Sequence, residues 1–454
     1  MFAKILIANR GEVAVRVIRA CRELGIRTVA VYSEADRHSL HVRLADEAVC
    51  IGPAPGSKSY LNIPNILSAA LITEADAIHP GTGFLAEKHI FAEICENYQL
   101  TFIGPRPETI EQLGDKTRAR QIMRDAGLPV LPGSAEPLRN LDEARDLAQA
   151  LGYPVMLKAV GGGGGKGIRV VRSDQDLAAA YSVAQAEAQS AFDNPGVYLE
   201  KCIEHARHVE VQILGDTRGH VIHVGDRDCS LQRRAQKVLE EAPSVGIPAP
   251  VREAIRAAAV QGARAAGYIN AGTWEFLVDR NDQFYFMEAN TRLQVEHPVT
   301  EAISGIDLVK AQLMIADGQP LALTQDDVRL QGHAIECRIT ADDVQRNFMP
   351  VAGRIHIYLP PGGPGVRVDS HVYSGYEVPP YYDSLLAKII TWGADRAEAT
   401  ERMKRALSEC MIEGIATTIP LHQRLLAAPA FVSHQVSTTF IEDWLAEQRQ
   451  AVPA

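Results

Sequence analysis

The sequence predicts a mixed α/β protein: a parallel-sheet domain first, a small glycine-interrupted α/β segment next, and a largely antiparallel sheet after about residue 207. Three observations predict this. An apolar run at 4–8 precedes helical spacing at Val13, Val17, Ala20 and Leu24, closed by Gly25, and a second apolar run at 28–32. Strand, helix and strand in that order imply parallel pairing with a right-handed crossover. Five consecutive glycines follow an apolar run at 155–160, and longer strand-like runs then appear at 209–214, 220–224, 273–278 and 283–288.

In chain order, Ala77–His79, 90–96 and 101–104 continue the strand–helix alternation, so residues 1–104 read as a Rossmann-like domain. The GxGxxG fingerprint is absent after the first strand, where NRGEVA stands, which disfavours dinucleotide binding. Residues 105–130 read as a helical linker. Residues 131–203 hold the glycine run, a helical stretch at 175–191 and a strand at Val197–Lys201. Residues 204–454 form the remainder, with loops and edge strands in the Pro- and Gly-rich 360–380 stretch and a last helix at Arg396–Glu409.

The 454 residues suffice for two to four domains, and 46% hydrophobic with 22% charged is ordinary globular composition. A net charge of -10 without a basic run argues against nucleic acid as the main ligand. Seven cysteines, none in C-x-x-C, argue against a disulfide framework or zinc site. No apolar stretch approaches a membrane span and the N-terminus lacks a signal-peptide core, so a cytoplasmic protein is expected.

Three segments carry chemistry. Gly161 to Gly167, including Gly164, Gly165 and Lys166, lets backbone N–H groups converge on an anion. It is not a Walker A loop, because Val160 and Gly167 stand where Gly and Ser/Thr are required. A linker is also glycine-rich, but entry from an apolar strand ending in Lys158 favours a phosphate flap.

The runs 273–278 and 284–288 flank the turn residues 279–282, predicting a hairpin that brings Glu275 near Glu288 and Asn290. Two carboxylates and an amide oxygen suit a hard cation such as Mg2+. Glu288, Asn290, Arg292, Gln294 and Glu296 all fall at even positions, so a strand continued to 296 would point all five one way.

The third segment is QRRAQK at 232–237, readable equally as a solvated basic turn. Arg338 lies in an apolar run, where its guanidinium needs an anion or a carbonyl.

Together with ANRGEVAVRVIRAC, HPGTGFLAE, FIGPRPETI, KAVGGGGGKGIRVV, RDCSLQRRAQKV, EANTRLQVEHPVTE, GHAIECRI and VPPYYDSLLAKII, these segments resemble the biotin carboxylases of the ATP-grasp superfamily over nearly the whole chain. The resemblance implies an ATP-grasp lid and central domain, and carboxylation of biotin with ATP and bicarbonate through carboxyphosphate. It implies ATP contacts from Lys116, Lys158, Gly164, Gly165, Lys166, Glu200, Lys201, Ile203, His208, Glu275 and Glu288. It places Mg2+ or Mn2+ on Glu275, Glu288 and Asn290. Bicarbonate would sit on Lys237, Arg292, Gln294 and Val295, with Glu296 as base. Arg338 would stabilise the biotin ureido oxygen, and Thr82 would lie beside biotin.

No biotin-acceptor Met-Lys-Met occurs, so the resemblance also implies a biotinylated carrier protein, a carboxyltransferase subunit and a homodimer using Arg19, Glu23 and Arg367. The family usually has Tyr, His, Met and Asn where Thr82, Ala235, Ala289 and Lys88 stand here. These departures point to a specialised paralogue. The alternatives are a non-catalytic nucleotide-binding regulator or another ATP-grasp ligase.

Overall fold

A computed structural model describes residues 1–134, 136–160 and 168–450. The N-terminal sheet is wholly parallel, in the order Glu47–Cys50, Arg27–Tyr32, Lys4–Ile7, Ala77–His79, Thr101–Phe102. Lys4–Ile7 is central and buried along its length, so its continuous apolar run is that of a strand covered on both faces. Helix Gly11–Glu23 follows it, as the spacing of Val13, Val17 and Ala20 requires; these side chains share a core with helix Leu308–Ala316.

Helices Pro107–Gly114 and Lys116–Asp125 occupy the expected helical stretch. Asp115 caps the second, accepting from the backbone N–H groups of Thr117 and Arg118 at 2.9 and 3.0 Å. A three-stranded antiparallel sheet follows, with Val155–Ala159 between Ile168–Val171 and Val197–Lys201, and helix Asp174–Phe192 packs on it.

The largest sheet has eight strands, all antiparallel: Phe284–Asn290, Asn270–Val278, Arg207–Gly215, Val221–Arg233, Gln236–Ala242, His333–Thr340, Leu385–Gly393 and Val366–Ser370. One side of its second half packs on helix Arg396–Glu409 through Ile335, Cys337, Ile339, Met403 and Leu407. The opposite side meets helix His297–Ser304 through Val299 and Ile303.

Two expectations are corrected. The strand carrying Glu288 ends at Asn290, and the chain to Glu296 is irregular before helix His297–Ser304 begins. Pro298 in the first turn of that helix favours its start, because its fixed φ suits a helix and the N–H it lacks would have no helical partner there. Arg396–Glu409 is also not the last helix, because Ile419–Ala427, Pro429–Val432 and Phe440–Gln450 follow, with Leu421, Leu425, Phe431 and Ile441 completing the core over the sheet.

Candidate active site

Register in the eight-stranded sheet sets Glu288, Glu275, Glu210 and Arg227 in one row across four strands. Three acids side by side repel one another unless cations intervene. Lys116 Nζ reaches Glu288 at 2.9 Å. His208 Nε2 lies 2.9 Å from Glu275. Arg227 Nε donates to Glu210 at 2.5 Å. Lys237 Nζ donates to Glu210, Glu275 and Glu296 at 2.6, 2.9 and 2.6 Å.

These contacts set the charges. The Lys116 ammonium outweighs burial and holds Glu288 down at about 2. Burial opposes ionisation of Glu275, but Lys237 and His208 outweigh it and hold that carboxyl at about 2. At Glu210 burial is likewise overcome by Arg227 and Lys237, again to about 2. Lys237, although buried, is pushed well above the usual lysine range by its three carboxylates. The row is therefore fully ionised at neutral pH.

The irregular segment after Asn290 still brings its even-numbered side chains to this row. Arg292 donates to Gln294 Oε1 at 2.9 Å and to Asn290 Oδ1 at 3.2 Å, and its Nε meets Glu87 at 2.9 Å. Gln294 Nε2 and Asn290 Nδ2 both donate to Glu275, at 3.0 and 2.8 Å. Glu296 is wholly buried, between Lys237 and Arg338 Nη2, the latter at 2.9 Å. Burial opposes its charge, but Lys237 and then Arg338 keep it ionised. Lys388 Nζ holds the Val295 carbonyl at 2.7 Å. Arg338 meets anions as expected: its Nε donates to Glu240 at 2.6 Å.

Toward the smaller sheet, Lys158 and Arg120 meet Glu200 at 2.5 and 3.1 Å. Lys201 donates to the Gly152 carbonyl at 2.8 Å, and Ile203 is half-buried just beyond its strand. Among the described residues, neither Lys201 nor Ile203 makes a polar contact with the acid row. Thr82 is half-buried, its carbonyl accepts from Asn9 Nδ2 at 2.7 Å, and no hydrogen bond joins it to Arg338. Gly164, Gly165 and Lys166 lie outside the described residues.

Sequence reasoning missed Glu210, Arg227, Glu240 and Glu87. A signal existed for the first: His208, Glu210 and Gln212 alternate with Val209, Val211 and Ile213, as the site-facing residues after Glu288 alternate with apolar ones. For Lys237 the solvated-turn alternative does not hold, since its ammonium is buried among three acids.

A cation with oxygen ligands suits this site. Glu275 and Glu288 are directly opposed carboxylates held ionised, the Asn290 amide lies two pairs along beside Glu275, and His208, Glu210 and Glu275 bring ligand atoms within 4.8 Å of one another.

The chain matches the family descriptions "Biotin carboxylase, N-terminal domain" over residues 1–110, "Carbamoyl-phosphate synthase L chain, ATP binding domain" over 115–324, and "Biotin carboxylase C-terminal domain" over 336–443. It is 58% identical to a biotin carboxylase of Nostoc sp. over 97% of this chain and 99% of that one. It is 57% identical to biotin carboxylase 1 of Bacillus subtilis over 98% and 99%. A Campylobacter jejuni biotin carboxylase–βγ-ATP complex superposes with a TM-score of 0.96 at 48% identity, covering 98% of this chain and 99% of that one. The biotin carboxylase domain dimer of Hydrogenobacter thermophilus 2-oxoglutarate carboxylase, solved with MgADP, ADP and bicarbonate, gives 0.95 at 48% identity, covering 98% of each. The fold and site define an ATP-grasp ligase. Within that class, the chain belongs to the biotin carboxylase family.

Proposed function

We propose that this protein uses ATP and bicarbonate to carboxylate biotin on a separate carrier protein. The observation that carries the reading is the Glu296 carboxylate, buried and ionised between Lys237 at 2.6 Å and Arg338 at 2.9 Å, beside the Glu288–Glu275–Glu210 row. An ionised acid fixed by two cations is a base whose position is set before substrate arrives.

Lys116 and Lys158 bind the ATP phosphates. Glu200, Lys201, Ile203 and His208 seat the nucleoside. Glu275, Glu288 and Asn290 would hold Mg2+ or Mn2+, which supplies charge neutralisation to the phosphates. Lys237, Arg292, Gln294 and the Val295 backbone orient bicarbonate, and Glu296 takes its proton. The bicarbonate oxygen then attacks the γ-phosphorus, the bond to ADP breaks, and carboxyphosphate forms. Its C–O bond cleaves to CO2 and phosphate, phosphate accepts the biotin N–H proton, and the nitrogen attacks CO2. Arg338 meets the negative charge growing on the ureido oxygen, with Thr82 at the biotin edge.

We further propose a homodimer, supported by Arg19, Glu23 and Arg367 lining one surface depression with Arg16, Glu301 and Asp307. A biotinylated carrier and a carboxyltransferase are the remaining partners. A cytoplasmic setting fits the seven unpaired thiols, and among the described residues no helix is long and apolar enough to cross a membrane. The division at residues 104, 130 and 203 is proposed as the set of units that assemble this cleft. Bicarbonate-dependent ATP hydrolysis stimulated by free biotin tests the activity. Its absence in folded protein would replace the reading with that of a nucleotide-binding regulator.

A further inference from the structure

Beside Arg338, two carboxyl groups confront each other with a shortage of donors. Glu240 and Glu336 are directly opposed in the antiparallel ladder between Gln236–Ala242 and His333–Thr340, and both are wholly buried. Directly opposed side chains stand about 4.5–5.5 Å apart at Cβ. Glu240 Oε1 accepts from Arg338 Nε at 2.6 Å. Its other oxygen and both oxygens of Glu336 have no donor among the described residues.

Among the described residues, the cations that face Glu336 are already committed to other partners. Lys388, opposite Arg338 on the neighbouring strand, is the nearest candidate, but its ammonium is 2.7 Å from the Val295 carbonyl and 3.2 Å from Glu12. Asp369, on the strand beyond, is opposed to Lys388 and adds another acid there. Lys237, on the Glu240 strand, is committed to Glu210, Glu275 and Glu296. Glu296 approaches from the segment before helix His297–Ser304 and is itself negative. His297 on that helix is buried and kept neutral, its Nδ1 at 2.8 Å from the Gln294 carbonyl. Burial likewise keeps the thiols of Cys229 and Cys337 neutral. On the same face, Val299 and Ile303 pack with Ala242, Ala334 and Ile390 into an apolar cluster. A carboxylate without a hydrogen-bond donor in such a place is strongly disfavoured, and it neutralises by keeping its proton.

We propose that Glu336 is held as the neutral acid and shares its proton with Glu240, keeping the pair at a single negative charge that positions Arg338 between Glu240 and Glu296. This rests on the roles given above to Arg338 and Glu296. Burial pushes both carboxyls above the usual range, Glu240 despite Arg338 and Glu336 further still.

At one negative charge the pair anchors the Nε edge of the guanidinium and leaves Nη2 to exchange Glu296 for the ureido oxygen. Loss of the shared proton adds a second charge, which draws the guanidinium away from substrate and works against the neighbouring Glu296 carboxylate. The acid is neutral below its raised pKa and charged above it. Turnover is therefore supported on the acid side of that ionisation and falls as pH rises through it. Glu240 and Glu336 are positioning residues in this scheme.

The test uses the full chain and two isosteric variants, Glu336→Gln and Glu240→Gln. Difference infrared spectra recorded through a pH titration should show a protonated-carboxyl C=O band at neutral pH that is missing in Glu336→Gln. In biotin-stimulated ATP hydrolysis, Glu336→Gln should lose less than about 3-fold in kcat at pH 7 while its alkaline limb moves up by about a unit or more. Glu240→Gln, which strips Arg338 of its anchor, should lose about 10-fold or more across the range and raise the KM for biotin. The proposal is overturned if the band survives in Glu336→Gln, or if that variant fails to fold. It is equally overturned if Glu336→Gln loses as much at pH 7 as Glu240→Gln with its pH profile unmoved. Should the wild-type chain show no biotin-stimulated turnover, the assigned activity falls, while the infrared comparison still decides the protonation of Glu336.

Discussion

Lys237 and Glu296 are joined at 2.6 Å, and the same ammonium also binds Glu210 and Glu275. One buried cation thus holds three buried carboxylates together. Lys237→Met should leave them to repel one another at a cost of about 3–5 kcal/mol. Urea denaturation at pH 7 measures the loss, and an unchanged midpoint would show that the cluster relaxes without its cation.

Glu296→Ala should lower bicarbonate-dependent turnover by about 10²–10⁴-fold, the range for loss of a positioned base. ATP affinity should change little, because the Lys116–Glu288 and Lys158–Glu200 contacts stand apart from residue 296. Turnover kinetics beside calorimetric ATP binding check this, and near-normal turnover would remove Glu296 as the base.

Arg338→Gln should cost about 10²–10³-fold in the biotin-dependent rate, the usual effect of losing a donor to developing negative charge. Basal bicarbonate-dependent ATP hydrolysis should fall much less. Equal losses in the two assays would assign Arg338 to bicarbonate activation instead.

Stability should depend on acid through Glu241. Burial opposes its charge, but His333 at 2.9 Å and Arg396 at 2.6 Å outweigh it and hold the carboxyl at about 2. A carboxyl lowered in the folded state contributes stability above its unfolded value of about 4.3. That contribution is lost as pH falls from there through about 2. Glu241→Gln should therefore be destabilised by about 2–3 kcal/mol at pH 7. Its deficit should shrink toward pH 2.5, and parallel denaturation curves for both proteins at both pH values would contradict this.

The turn between Arg233 and Gln236 uses left-handed backbone at both central residues, with φ of 49° at Arg234 and 59° at Ala235. Such two-residue hairpin turns favour Gly or Asn, because a Cβ crowds the following carbonyl. Ala235→Gly should raise stability by up to about 1 kcal/mol. A lower Tm would show that the alanine methyl contributes packing that outweighs the strain.

The hairpin of Glu275 and Glu288 was legible in the sequence, because two apolar runs around Asp279-Arg280-Asn281-Asp282 leave few other foldings. The parallel N-terminal sheet was legible for the same kind of reason: a continuous apolar run gives way to helical spacing and returns within 32 residues. Alternation after Glu288 identified the right side chains through the wrong backbone. It overran the strand end at Asn290, yet the irregular segment still delivers Arg292, Gln294 and Glu296 to the acid row. Arg227 and Glu240 stayed hidden because their significance lies in cross-strand register, which depends on turns and bulges elsewhere in the sheet.

Lys388 has no exposed surface, and it connects Glu12, near the start of the chain, with the Val295 carbonyl. During synthesis the segment carrying Glu296 must therefore wait for nearly a hundred further residues to leave the ribosome before its clamp exists.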